Sequence, residues 1–319
     1  MESIHDVALC AVDSRGKPVL AYGDVDEFPV FLRSSAKPFI AAAVIAAGAR
    51  ERFGLESREI AVMAGSHAGQ PFHVEAVRSI LQKIGMPESA LQCGEHPPYN
   101  AAAALELERA GIVPSVLHNN CSGKHAGILA LCKIMDADPQ TYLDVSNPAE
   151  QRILEFCARV SGLAVTQMPI GVDGCGIPVY ALPLRNAALS FMRLATQEGV
   201  GTHDAAALAI VRDAMIAFPE YVSGTGEFDA RLMQAGDGSI VCKAGAEGVH
   251  ATGALERGIG LVCKVLDGAA RARGPAVLTA LRRLGVLSEA RLTKLADLER
   301  PIVYNRAGRA VGDISAREG

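Results

Sequence analysis

The sequence predicts an α/β (α+β) fold: an antiparallel sheet drawn from both chain ends and flanked by helices, with a large, mainly helical middle lobe. Three observations predict it. Two apolar runs around Asp13-Ser14-Arg15-Gly16-Lys17-Pro18 open the chain, an Ala- and Ile-rich helical pattern takes over near residue 34, and strand-like runs return after Gly236. On this reading residues 1–54 and 236–319 form a sheet-containing lobe and residues 55–235 a helical one. With 319 residues, half of them hydrophobic and 21% charged, the chain can bury a full core and is too apolar for disorder.

Taken in order, "VALCAVDSRGKPVLAYG" reads as strand, turn and strand, because Asp, Ser, Gly and Pro favour a tight reversal. "FPVFL" is a third short run. "SAKPFIAAAVIAAGARERFG" is helical: Pro38 is tolerated only in a first turn, which puts the helix start at Ser34 or Ser35, and Gly54 ends it. From about 55 to 235 helical segments are broken by Gly-, Pro- and Asn-rich loops, among them "MAGSHAGQPFH", "GEHPPYN", "HNNCSGKHAG", "QMPIGVDGCGIPVYALP" and "YVSGTGEFD". Function is expected on such loops. "GSIVCKAGAEGVHATGALERGIGLVCKVLD" then reads as a three-strand meander turning at residues 244–248 and 256–258. Two helices and a short strand, "PIVYN", close the chain.

A net charge of −4, no run of Lys or Arg and no Trp argue against a nucleic-acid partner. The longest apolar stretch, residues 39–49, is about half of the roughly twenty residues that a membrane helix needs, so no membrane partner is expected. The opening "MESIHDVALC" has early acids and no basic region before an apolar segment, unlike a signal peptide, and a cytoplasmic location is expected. The eight cysteines sit mostly in apolar runs, which favours buried thiols and a metal site over disulfides.

Four stretches carry candidate chemistry. Ser34 and Lys37, three apart at a helix start, share one face. A serine there gains from free N–H groups and the helix dipole, and a desolvated neutral lysine can take its proton. The plain alternative is a capping serine beside a solvated lysine. In "VCKAGAEG", Lys243 lies on a strand ahead of small residues and Gly, resembling the Lys-Thr-Gly element of penicillin-recognising serine hydrolases, with Ala244 in place of the hydroxyl residue. The alternative is an edge-strand charge. "GSHAGQ" presents Ser66 and His67 on a Gly-flanked loop, either as a second serine that relays protons to Lys243 or as the cap of the next helix. "NNCSGKHAG" and "GVDGCG" supply Cys121, Lys124, His125, Asp173 and Cys175. Two thiolates and a nitrogen donor suit tetrahedral zinc with an open position, and chemistry alone names His125 as that donor; buried thiols are the alternative.

Together "RSSAKPF", "AGSHAGQ", "HNNCSGKHAG", "PIGVDGCGIP" and "CKAGAEGV" resemble, in order and over essentially the whole chain, the rhizobial-type (class 3) L-asparaginases. The resemblance implies a fold akin to serine β-lactamases and glutaminases, and a homodimer. It implies Ser34 as nucleophile with Lys37, Ser66 with Lys243 as a second serine-lysine pair, and L-asparagine as substrate. It further implies zinc held by Cys121, Lys124 and Cys175 plus water, with Arg33 and Asp173 lining the site; Lys124 thus displaces His125 as the nitrogen ligand, which requires a neutral amine. His67 joins Arg33 and Asp173 as an expected substrate contact. Rival readings are a glutaminase or penicillin-type hydrolase on the same scaffold, and a non-catalytic amino-acid or zinc sensor.

Overall fold

The computed structural model describes residues 1–317. Strands β1 (Val7–Val12) and β2 (Pro18–Tyr22) form the expected hairpin. Strand β3 (Pro29–Phe31) follows, and two further strands, β4 (Ile170–Val172) and β5 (Pro178–Pro183), lie in the middle of the chain. The meander is β6 (Ile240–Gly245), β7 (Val249–Ala254) and β8 (Ile259–Val265). Its strands join the hairpin in one antiparallel sheet of order β2-β1-β8-β7-β6, with β1 paired to β8 from Val7 opposite Val265 to Val12 opposite Gly260. The two chain ends therefore meet in one sheet, as the alternating runs predict.

Both faces of that sheet are covered. Every residue of β7 is buried, where a half-solvated strand would alternate. The helix Leu184–Thr196 packs along β8, β7 and β1, while the helices Phe228–Gly236 and Arg273–Arg283 lie against β6 and β8. The helix Lys37–Ala46 is buried almost all round, the pattern of an interior helix, and it packs against the helices Thr202–Ala217 and Pro148–Ser161. Its first residue, Lys37, consequently starts deep in the protein.

Three details depart from the expected elements. The predicted helix to Gly54 breaks at Gly48, whose φ of +88° turns the chain, giving the helices Lys37–Ala46 and Ala49–Phe53. The stretch "QMPIGVDGCGIPVYALP", expected as a loop, forms the β4–β5 hairpin, which pairs with β3 in a separate three-stranded sheet. Its prolines sit at strand ends, where a missing N–H costs no ladder bond. The closing strand β9 (Ile302–Tyr304) pairs only with β10 (Ala310–Asp313), and this ribbon stands apart from the main sheet.

Candidate active site

Arg33–Ala36 is a single tight turn that runs directly into the helix Lys37–Ala46. No side chain caps it, so Ser34 is not a cap. Ser35, sealed from solvent, donates its hydroxyl to the Leu32 carbonyl at 2.6 Å, which leaves Ser34, half-buried, as the hydroxyl facing outward beside Arg33. Arg33 itself holds φ at +50°, a conformation that side chains rarely adopt. Pro38 falls in the helix's first turn, as its ring requires.

Lys37 is 1% exposed, which removes the solvated-lysine alternative. Its Nζ lies 2.8 Å from the Gly65 carbonyl, 3.2 Å from the Asn120 carbonyl and 2.9 Å from Ser66 Oγ. The amine thus donates toward two backbone carbonyls and the Ser66 hydroxyl, three oxygens that fix its position. Burial drives the Lys37 pKa down, helped by the charge of Lys124 and opposed by Cys121 and Cys175. Lys37 thus hydrogen-bonds Ser66, whereas the sequence resemblance couples Lys37 to Ser34 and Ser66 to Lys243.

Lys243 enters from β6. That strand approaches the Arg33–Ala36 turn so closely that a Cβ on Gly245 would lie 2.7 Å from the Leu32 carbonyl oxygen, so only glycine fits there. Lys243 Nζ donates to the Ala244 carbonyl at 2.7 Å and lies 3.5 Å from Asp229 Oδ2. Far from an edge-strand charge in solvent, it is 1% exposed, and burial lowers its pKa to about 8 against the pull of Asp229.

The loop after Gly65 is tied by Ser66 N–H to the Val222 carbonyl at 2.8 Å. His67 is fully buried, and both ring nitrogens are engaged: Nε2 with Ser122 Oγ at 2.9 Å and Nδ1 as acceptor from the Gly69 N–H at 3.2 Å. Since Ser122 Oγ donates to the Leu117 carbonyl, His67 Nε2 is the donor of that pair. Burial holds the ring neutral. The structure therefore gives His67 a different task from the expected substrate contact: it fastens the Ser66 loop to the start of the helix Ser122–Met135.

Cys121 precedes that helix, held by its N–H on Asn119 Oδ1 at 2.8 Å, while Asn119 Nδ2 donates to the Cys93 and Gly94 carbonyls. A Cβ on Gly123 would lie 2.4 Å from the Val62 carbonyl oxygen, and this close helix contact brings Cys121 and Lys124 beside the Ser66 loop. Lys124 Nζ donates to Cys175 Sγ at 3.0 Å. The Cys175 thiol hydrogen-bonds the Cys121 sulfur and holds it well below the ordinary thiol range, with Lys37 and Lys124 adding to the effect against burial. The same bond and burial push Cys175 up. Burial opposes the Lys124 charge, yet the two sulfurs and Asp173 raise its pKa. Arg33 Nε donates to Asp173 Oδ1 at 2.6 Å, bringing the turn that holds Ser34 next to this cluster.

The donor set fits zinc. Two sulfurs and an amine, all buried, with Lys124 Nζ 3.0 Å from Cys175 Sγ and Cys175 bonded to Cys121, are donors of the type that tetrahedral zinc takes. Binding would displace protons from Cys175 and Lys124. His125, by contrast, points elsewhere: one residue along the helix from Lys124, it bonds Tyr142 Oη through Nδ1 at 2.7 Å. Among the described residues, the His, Cys and carboxylate group converging on one point is Asp229, Cys242 and His250, without His125. All eight cysteines are free and buried. A cavity of about 760 Å³ lined by His5, Tyr22, Arg271 and Arg283 contains none of these site residues.

Sequence reasoning missed Asn120, whose carbonyl completes the Lys37 cradle, and Asp229, which faces Lys243. The first stood inside a quoted motif; the second carries no local signal.

The fold is one shared with solved proteins. A crystal structure described as Mglu matches with a TM-score of 0.50 and 13% identity, over 88% of this chain and 67% of that chain. A form with tris and glutamate also gives 0.50 and 13%, over 90% of this chain and 61% of that chain. At such identity the likeness shows the fold alone, and this chain spans about two thirds of those proteins' length. No curated protein matches it. The family is shown by its own model: residues 1–316 match Asparaginase_II, L-asparaginase II, and the chain belongs to that family of asparaginase-type amidohydrolases.

Proposed function

We propose that the protein hydrolyses the side-chain amide of L-asparagine to L-aspartate and ammonia through an acyl-enzyme on Ser34. The observation that carries this reading is the buried Lys37 amine, hydrogen-bonded to Ser66 at the root of the turn that presents Ser34, in a chain of the asparaginase family. Ser34 Oγ attacks the amide carbon while neutral Lys37 takes its proton. Ser66, in a relay with Lys243, passes a proton to the nitrogen as the C–N bond breaks and ammonia leaves. Water then attacks the ester, returns a proton to Ser34, and frees aspartate. Arg33 and Asp173 offer opposite charges to the substrate's α-carboxylate and α-ammonium groups.

Cys121, Lys124 and Cys175 are proposed to hold zinc, which when bound supplies a fixed positive charge that orients the substrate. Chelation should therefore raise KM for L-asparagine more than it lowers kcat, and steady-state kinetics before and after a chelator, with metal content measured alongside, would show it. An abolished kcat with unchanged KM would contradict this role.

A second reading has Ser66 as nucleophile, favoured by its 2.9 Å bond to Lys37. Glutamine differs by one methylene, which binding discriminates by only about 1 to 3 kcal/mol. Homodimerisation and a cytoplasmic location belong to the same proposal; among the described residues no helix is long and apolar enough to cross a membrane. The direct test is ammonia release from L-asparagine and L-glutamine, with nitrocefin as a third substrate, between pH 6 and 10. Lysine bases work only when neutral, so activity should rise with pH through the region of the Lys243 value, about 8. Binding of asparagine without ammonia release would establish a sensor instead.

A further inference from the structure

A buried cluster behind Lys243 has no task in the scheme above. Asp229, in the first turn of the helix Phe228–Gly236, is 2% exposed. Its Oδ2 accepts from the Ala244 N–H at 2.8 Å and lies 3.5 Å from Lys243 Nζ, and its Oδ1 meets His250 Nε2 at 3.2 Å. His250 is fully buried on β7, directly opposite Ala244 in the ladder, with Thr252 Oγ1 3.3 Å from its Nδ1 and the Phe228 ring at its edge. Cys242 donates its thiol to the Asp229 carbonyl at 3.5 Å.

The charges facing Lys243 come from four directions. Asp229 is the anion; Lys37 opposes from the core helix, Arg273 from the helix Arg273–Arg283, and His250 stands beyond the carboxylate. Burial works against the Asp229 charge, but Lys243, His250 and Arg273 hold it below the ordinary carboxylate range. The carboxylate is thus an anion held first by the Lys243 charge and braced by a backbone N–H and an imidazole.

Asp229, Cys242 and His250 lie near enough to share one ion. The carboxylate oxygens are already engaged by three donors, however, the Cys242 thiol by a carbonyl, and a cation there would face Lys243 and Arg273. A positioning role fits the same atoms without that repulsion.

We propose that Asp229, braced by His250 and the Ala244 N–H, is a positioning residue that orients the Lys243 amine and governs its proton. The proposal rests on the reading of Lys243 as part of the proton relay. In neutral Lys243 the two N–H groups go to the Ala244 carbonyl and to Asp229, so the lone pair is left for the remaining direction, away from both. Asp229 also opposes loss of the lysine proton, against burial, Arg273 and the second buried lysine, Lys37.

The test is Asp229→Asn, which keeps an oxygen for the Ala244 N–H and removes the charge. Lys243 should then lose its proton more easily, and the rising limb of kcat/KM should move to lower pH by about 1 to 3 units. Asp229→Glu should return the limb toward the wild-type position. The titration of Lys243, followed by NMR in protein made with isotope-labelled lysine, reads the same shift without activity. A shift in both readouts supports the proposal. A shift in the NMR titration with the activity limb unmoved leaves Asp229 its hold on Lys243 and removes Lys243 from the relay. A lower melting temperature with neither titration moved overturns the proposal in favour of a merely structural carboxylate. Metal retained by a Cys121→Ser, Cys175→Ser double variant, and then lost on Asp229→Asn, overturns it in favour of a metal site.

Discussion

Ser34→Ala should abolish ammonia release from L-asparagine, a loss of roughly 10⁴- to 10⁶-fold in kcat, the range seen when a nucleophile is removed from a serine hydrolase. The substitution is mild for the fold. Ser34 is half-buried and caps nothing, and the neighbouring Ser35 makes the bond to Leu32 that shapes the turn. The melting temperature should stay close to wild type, which separates loss of chemistry from loss of structure. Mass spectrometry of acid-quenched turnover mixtures gives the complementary result: the aspartyl adduct should map to Ser34 in wild type and in a slow Ser66→Ala variant. An adduct on Ser66, with activity surviving in Ser34→Ala, would exchange the roles of the two serines.

Lys37→Met should cost about 10²- to 10⁴-fold in kcat, as expected when a general base is removed and the nucleophile left in place. Methionine is close in length and carries no charge, so it occupies the cavity that the lysine chain fills. The change relieves a buried amine but strands the Gly65 and Asn120 carbonyls, each at a cost of roughly 1 kcal/mol. These effects oppose each other, and differential scanning should find a small shift in melting temperature beside a large loss in rate. KM should change little, because Lys37 acts on a hydroxyl rather than on the substrate's recognition groups. A large rise in KM with kcat intact would make Lys37 a binding residue and remove the base from the mechanism.

Much of the scaffold was legible because local pattern and tertiary role agree. The hairpin at the start and the meander near the end each announce themselves by turn residues between apolar runs, and two unpaired sheet edges of like kind invite one sheet. The β4–β5 hairpin was not legible: its strands are short and bounded by prolines, and the Gly-rich turn at Asp173 dominates the local signal. The break at Gly48 was hidden by the uninterrupted alanine pattern around it.

At the site, residue types were easier to read than partners. Ser34, Lys37, Ser66 and Lys243 stand in recognisable motifs, but the bond from Lys37 to Ser66 depends on how the loop after Gly65 closes over the core helix, a distance that no spacing encodes. His67 shows the same limit, since a histidine on a Gly-flanked loop looks available until Ser122 and Gly69 are placed around it. Asp229 was invisible because its partners are contributed by two strands farther along the chain.

The pairing of β1 with β8 has a consequence for synthesis. Val7–Val12 is made some 250 residues ahead of its partner Ile259–Val265, so at about 5 to 20 residues per second a ribosome leaves that strand edge waiting roughly 12 to 50 s. Throughout that interval the edge of β1 that faces β8 lacks its ladder partner. The lysine-bearing β6 arrives only in the same late stretch, so a truncated product carries neither a finished sheet nor the second lysine of the site. Synthesis of β6, β7 and β8 is the step at which the open strand edge and the incomplete site are resolved together.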